Sequence, residues 1–222
     1  MPARLHRHVP GEPRAKGARA VHAHDPALAP YLTADAVIDW SEPTVAAQAA
    51  VLAAGAASPQ AVAETAFLFV RDAIRHSIDF RQNPVTCAAS EVLRHGTGYC
   101  YAKAHLLAAL LRANGIPAGL CYQRLTLDPA TDRTRFCLHG LVAVHLPEYG
   151  WYRIDPRGNK PGVDAKFTPP VERLAFAIAH PGEADLPGVH AAPLPVVVDA
   201  LRRHATWDAL LADLPDLSLR AD

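Results

Sequence analysis

The four cysteines, Cys87, Cys100, Cys121 and Cys137, contain no C-x-x-C pair. A zinc knuckle or a thioredoxin-type redox site therefore lacks its usual spacing. There is no surplus of either charge: Lys plus Arg and Asp plus Glu number 22 each, for a formal net charge of zero with His neutral. Nucleic acid or an anionic membrane normally selects a net basic footprint, so neither is expected as a partner. Charges break every apolar run well short of the ~18 residues of a spanning helix. No apolar h-region follows the basic N-terminus, so no secretory signal is legible. The thiols are accordingly read as reduced and the location as cytoplasmic. No internal repeat is visible.

Half of the 222 residues are apolar. A chain of that size buries a sufficient core without disulfides or metals. Residues 1–30 are rich in Arg, His, Pro, Ala and Gly, without apolar periodicity. They read as a disordered tail or an over-long start of the reading frame, with a nucleic-acid arm as the lesser alternative. Residues 31–222 read as a single domain.

Ser41-Glu42-Pro43 suggests a helix to about Ala54, with Ser41 as cap. Ser58-Pro59 opens a second helix to about Arg75, on whose apolar face Val62, Ala66, Phe69, Val70 and Ala73 recur. His76 to Val85 reads as a loop. A short helix, Ala88 to Leu93, is expected with Thr86 or Cys87 as cap. Ala102 to Arg112 is apolar nearly all round, the mark of a buried helix. Asn114-Gly115 with Pro117 stops it. The period then changes. Leu120–Leu127, Phe136–Leu146 and Trp151–Asp155 read as strands, and Val163–Thr168 is the candidate for a fourth. Cys121 and Cys137 lie on two of these strands and can be neighbours. Two short helices follow, near Val196–His204 and Trp207–Leu214. Helices first and antiparallel strands second make an α+β domain.

Cys100 stands where a Gly-rich turn enters the buried helix. Unpaired N–H groups and the positive dipole end at that place favour thiolate and can hold an oxyanion. A lone Cys also reads as a buried structural thiol. His139, on the second long strand, reads singly as a core histidine, and Asp155, before Pro156, as a strand-end turn residue. Their conjunction carries more. The midpoint of 139 and 155 is Pro147, in the expected turn, and the even separation puts both side chains on one face. A hairpin centred there sets them directly opposite, with Cβ atoms about 4.5–5.5 Å apart. That places a carboxylate where it orients an imidazole, beside a nucleophile at a helix start.

These residues also bring a resemblance. Gly96-Thr97-Gly98-Tyr99-Cys100, then Ala102-Lys103-Ala104 and Leu106 to Gly115-Ile116-Pro117-Ala118-Gly119, resemble the signature of the transglutaminase-like superfamily, as in its bacterial and cysteine-protease members. Leu138-His139-Gly140 and Trp151-Tyr152-Arg153-Ile154-Asp155-Pro156-Arg157 resemble its second and third blocks. The likeness runs from about Phe67 to Asp164. It implies a papain-like transglutaminase core, with the Cys helix packed on an antiparallel sheet bearing His and Asp. By that likeness Cys100 is nucleophile, His139 general base and acid, and Asp155 orienter. One departure is Leu141, where the family often carries an aromatic residue; it bears on substrate preference.

The implied activity is thiol acyl transfer on a peptide, amide or ester, with no metal and no cofactor. Hydrolysis is preferred over transfer to an amine, because water is always available. A non-catalytic binding module on the same fold is the other class. Around the three residues, the Cys100 N–H is the first oxyanion candidate and Gln82 a side-chain candidate, although Gln82 reads equally as a solvated loop residue. Tyr99 and Tyr101 line the acyl site or merely pack. Arg157 and Asn159 bind a substrate carboxylate or phosphate, or belong to a solvated turn.

Overall fold

The computed structural model describes residues 25–218. Its centre is the helix Cys100–Ala113, in which every residue from Cys100 to Arg112 is buried. Around it, in chain order, lie α1 (Pro43–Ala53), α2 (Pro59–Ala73), β1 (Arg75–His76), α3 (Ala89–His95) and β2 (Thr97–Gly98); the central helix is α4. Then come β3 (Ala118–Asp128), β4 (Asp132–Leu146), β5 (Gly150–Ile154), β6 (Ala184–Asp185), α5 (Pro195–Arg203) and α6 (Trp207–Ala212). Strands β3 to β6 form one antiparallel sheet in the order β5-β4-β3-β6. The expected α+β class and papain-like core, a buried Cys helix on an antiparallel sheet, are what the chain adopts.

Packing explains that arrangement. Leu106, Leu107, Leu110 and Leu111 of α4 share a core with Phe67 and Val70 of α2, Leu120 and Tyr122 of β3, and Leu138 and Val142 of β4. Each fully buried leucine stabilises by roughly 1.5–3 kcal/mol. That is ample to dock a helix that also buries Lys103. The opposite sheet face carries a smaller cluster, Cys121, Leu141 and Ala143, under Trp151, Leu174 and Val189. Cys121 pairs with Leu141 and Cys137 with Leu125, so the two thiols are not cross-strand neighbours. All four cysteines are free and buried.

Local starts follow their caps. Ser58 Oγ accepts from the Ala61 N–H at 3.2 Å, and Pro59 takes the first turn of α2. Helix α1 starts later than expected: Glu42 is its N-cap and Pro43 opens the first turn, leaving Ser41 outside. Neither Thr86 nor Cys87 caps α3. The Glu91 carboxylate instead accepts the N–H groups of Cys87 and Ala88, at 2.8 and 3.0 Å. Thr86 Oγ1 donates to the Thr97 carbonyl at 3.0 Å.

Two further expectations are corrected. The segment read as a loop from His76 begins with a strand residue, in a parallel pair with β2. Val163–Thr168 is not a strand of the sheet; β6 takes that place. Val163, Ala165 and Phe167 are alternately buried. Yet Ala165 is held by Asn159 and Arg71 rather than by a ladder. The period-2 pattern there reports one-sided burial, with isolated bridges from Val163 to Lys160 and from Lys166 to Arg173 in place of a strand ladder.

Residues 1–24 of the expected tail lie outside the described residues. Within Asp25–Pro30, Leu28 is buried, and the Tyr31 hydroxyl just beyond donates to the Val189 carbonyl at 2.9 Å. Among the described residues no helix is long and apolar enough to cross a membrane.

Candidate active site

Cys100 is the first residue of α4, and Tyr99 at the N-cap supplies no side-chain cap. No capping side chain therefore takes the N–H groups of the first turn. The turn before it is fixed by the short parallel pair, Arg75 with Thr97 and His76 with Gly98. The Ser77 N–H donates to the Gly98 carbonyl at 3.0 Å. A Cβ on Gly98 would meet the Ala102 Cβ at 3.2 Å and Thr86 Oγ1 at 3.3 Å, so the turn seats tightly on the helix.

His139 Nε2 lies 2.7 Å from Asp155 Oδ2, and both side chains are buried. The contact is diagonal rather than directly opposite. Leu146 pairs with Gly150 and Val142 with Ile154, so the hairpin is centred on Glu148, one residue beyond the expected Pro147. Continuing that register sets Asp155 against Leu141. A one-residue move of the centre shifts partners by two, which keeps the face, and diagonal neighbours remain within reach of long side chains.

The carboxylate is fully engaged. Asp155 Oδ1 accepts the Arg157 N–H at 3.1 Å, and Oδ2 also accepts the Ala175 N–H at 3.0 Å. Burial alone would raise its pKa; the His139 charge and these donors outweigh that and hold it below the ordinary carboxylate value. For His139 burial works downward, and Asp155 and Cys100, through charge and hydrogen bonding, hold its pKa above imidazole's usual value. Because Nε2 serves Asp155, Nδ1 is the ring nitrogen left for the thiol. The Phe176 ring stands edge-on to the imidazole, with centroids 5.1 Å apart, and limits its rotation.

Cys100 and His139 line one cavity of about 500 Å³, with Tyr99, Arg157, His76, Asp79, Lys160 and Phe176 among its other walls. Tyr99 thus faces the cavity. Tyr101 packs instead, its hydroxyl donating to the Leu138 carbonyl. Arg157 lines the cavity, but its guanidinium is held by Asp79, at 2.7 and 3.1 Å. Asn159 is not among the lining residues; it clamps Ala165 with both ends of its amide. Gln82 is not among them either, and its N–H donates to the Ser77 carbonyl at 2.8 Å.

Three residues at the site escaped the reading of the sequence. His76 lies in the wall; burial, then the Arg157 charge, pushes its pKa well below the usual value. Asp79 binds Arg157 and also Lys160, at 2.7 Å, and these outweigh burial to bring its carboxyl to about 2. Lys103, one turn after Cys100, donates to the carbonyls of Arg71 and Ile74, and burial pushes its pKa down to about 7. A lysine between Ala102 and Ala104 in a helix read as buried was the available signal.

The family model of the transglutaminase-like superfamily core matches residues 46–156, half of the chain. The chain belongs to the transglutaminase-like superfamily. That matched stretch holds Cys100, His139 and Asp155.

Among solved structures, the chain is similar to a candidate cysteine protease from Cytophaga hutchinsonii at 16% identity and TM-score 0.49, covering 60% of this chain and 43% of that one. It is also similar to the periplasmic domain of TgpA from Pseudomonas aeruginosa at 25% identity and TM-score 0.44, covering 60% and 48%. A candidate protease from Parabacteroides distasonis follows at 15% identity and TM-score 0.39, covering 57% and 26%. The chain thus spans less than half the length of each of these relatives. No curated protein matches the sequence.

Proposed function

We propose that this superfamily member is a thiol acyl-transfer enzyme acting on an amide or ester, with hydrolysis as its ordinary outcome. Cys100 is the nucleophile, His139 the general acid and base, and Asp155 the group that orients and charges the imidazole. The observation that carries the reading is the buried 2.7 Å contact between His139 Nε2 and Asp155 Oδ2, beside a cavity that Cys100 opens into from a helix start.

The chemistry follows from that geometry. The Cys100 sulfur bonds to the acyl carbon, and the carbonyl electron pair moves to oxygen. The Cys100 N–H, at the positive end of α4, receives that oxyanion. The bond to the leaving nitrogen or oxygen breaks as His139 delivers its proton. Water then attacks the thioester, His139 takes the water proton, and the carbon–sulfur bond breaks to release the acid. An amine in place of water gives transglutaminase-type transfer by the same steps. The four unpaired thiols support a reducing compartment, the cytoplasm, for this enzyme.

The test is a panel of peptide, amide and ester substrates, assayed with and without added amine, comparing wild type with Cys100→Ala. The reading expects turnover that needs Cys100 and yields acid when no amine is added. Turnover that survives Cys100→Ala unchanged contradicts it.

A further inference from the structure

The wall of the cavity contains a second histidine–carboxylate pair that the steps above do not use. His76 is 4% exposed, yet it lines the cavity together with Cys100 and His139. Its position is fixed from two sides. Its backbone is paired with Gly98, two residues before the nucleophile. Its ring packs on Tyr99, with centroids 5.0 Å apart. Nδ1 is buried without a hydrogen bond, and its nearest anion is Asp79 Oδ2 at 3.6 Å. Arg157 ties this pair to the first one. Its guanidinium holds Asp79 while its own N–H holds Asp155.

The charges around His76 decide its chemistry. Arg157 and Lys160 already neutralise Asp79, at 2.7 Å each. Little anionic field is left to charge a buried imidazole, and the ring is neutral near pH 7. Asp79 still favours the tautomer with the proton on Nδ1. The lone pair then sits on Nε2, on the other edge of the ring; His76 lines the cavity, and of its two ring nitrogens only Nδ1 is sealed off without a partner. A neutral imidazole presenting a lone pair accepts hydrogen bonds. It cannot protonate a leaving group, and it repels no cation.

We infer that His76 contacts substrate, accepting through Nε2 a hydrogen bond from an amide N–H next to the acyl group that Cys100 attacks, so that the site selects amides over esters. The inference rests on Cys100 being the acylated thiol. An ester places oxygen, which has no proton, where the amide places N–H. Two lone pairs would then face each other, and a buried acceptor left without its donor is penalised.

A pair of chloroacetyl probes isolates this contact without requiring turnover. N-benzylchloroacetamide carries the N–H and benzyl chloroacetate does not; both alkylate a thiol with loss of chloride. Rates of Cys100 alkylation are measured by mass spectrometry in wild type, His76→Ala and His76→Gln, each divided by the rate with glutathione. Wild type is expected to favour the amide probe by roughly threefold to tenfold over the glutathione reference. His76→Ala loses that preference. His76→Gln, whose side-chain oxygen is an acceptor, regains part of it and checks that the loss is not general damage to the fold. The inference is overturned if wild type and His76→Ala show the same amide-to-ester ratio, or if His76→Ala slows both probes equally. The acyl-transfer reading fails on a separate observation, namely Cys100 reacting with either probe no faster than Cys87.

Discussion

A Cβ on Gly140 would stand 2.9 Å from Tyr101 Cδ1 and 3.1 Å from Tyr101 Cα. Strand β4 thus touches the backbone of α4 one residue after Cys100 and one residue after His139. The bare glycine is what lets the helix start come up to the strand that carries the imidazole. Gly140→Ala must push the two apart. Overpacking of this kind costs about 1–3 kcal/mol, and a misplacement near 1 Å can cost about a hundredfold in rate. The expected outcome is a fall of about ten- to a hundredfold in kcat/KM, with a smaller loss in stability read by denaturant titration. Unchanged activity would mean that this approach does not set the site.

Asp155→Asn keeps the shape of the carboxylate and removes its charge. Its single amide oxygen replaces only one of the two carboxylate oxygens, so either the Arg157 N–H or the Ala175 N–H is left facing the amide NH2, at a cost of about 1–3 kcal/mol that the fold is expected to survive. The imidazole loses the charge that raises its pKa, and its tautomer is no longer fixed. A loss of about 10²–10⁴ in kcat is expected, and the alkaline limb of the pH–rate profile should move to lower pH. A profile that keeps its alkaline limb would show that Asp155 does not charge His139.

His139 and Lys103 make opposed contributions to stability against pH. His139 has a folded pKa above its unfolded value. Its contribution is full below about pH 6.5 and fades as pH rises towards the folded value. Lys103 is shifted the other way, to about 7. The unfolded chain therefore holds the Lys103 proton longer, and stability rises between pH 7 and about 10 as the folded lysine is relieved of its buried charge. The two effects oppose each other in wild type. Lys103→Met removes one of them, so its stability should fall as pH rises over that range, while wild type changes less. Thermal melts of both proteins at four or five pH values check this. Parallel curves would contradict it.

Particular residues show how much of this was legible in the sequence. The Cys100 helix declared itself through an apolar pattern all round and an Asn114-Gly115 stop, both local signals. The hairpin was legible as two strands and a turn, but its centre was not. Gly150 reads as a turn residue, yet with φ of 70° it pairs with Leu146 inside the ladder, which leaves Pro147, Glu148 and Tyr149 as the loop. The parity of the spacing was enough to keep His139 and Asp155 together despite that error. The pairing of Arg157 with Asp79 was out of reach, because 78 positions separate them; Arg157 was legible only as a candidate anion binder or a solvated turn residue, and Asp79 reads as a solvated loop charge. His76 was hidden for a related reason. A two-residue strand has no periodicity to read, and its partner lies at Thr97–Gly98.

The central claim is that Cys100 is a nucleophile set apart from the other thiols by its site. Burial pushes the pKa of Cys87 and Cys121 up to about 11 and that of Cys137 to about 12. Their thiolate fractions near neutral pH are therefore minute, and alkylation needs thiolate. The most direct measurement is a brief pulse of iodoacetamide near pH 7.5 on the folded protein, followed by peptide mapping of all four cysteines, in wild type and His139→Ala. Cys100 is expected to be labelled at least tenfold faster than the other three, and more slowly once His139 is removed. Labelling of Cys100 no faster than Cys87, Cys121 or Cys137, or indifferent to His139, would contradict the account.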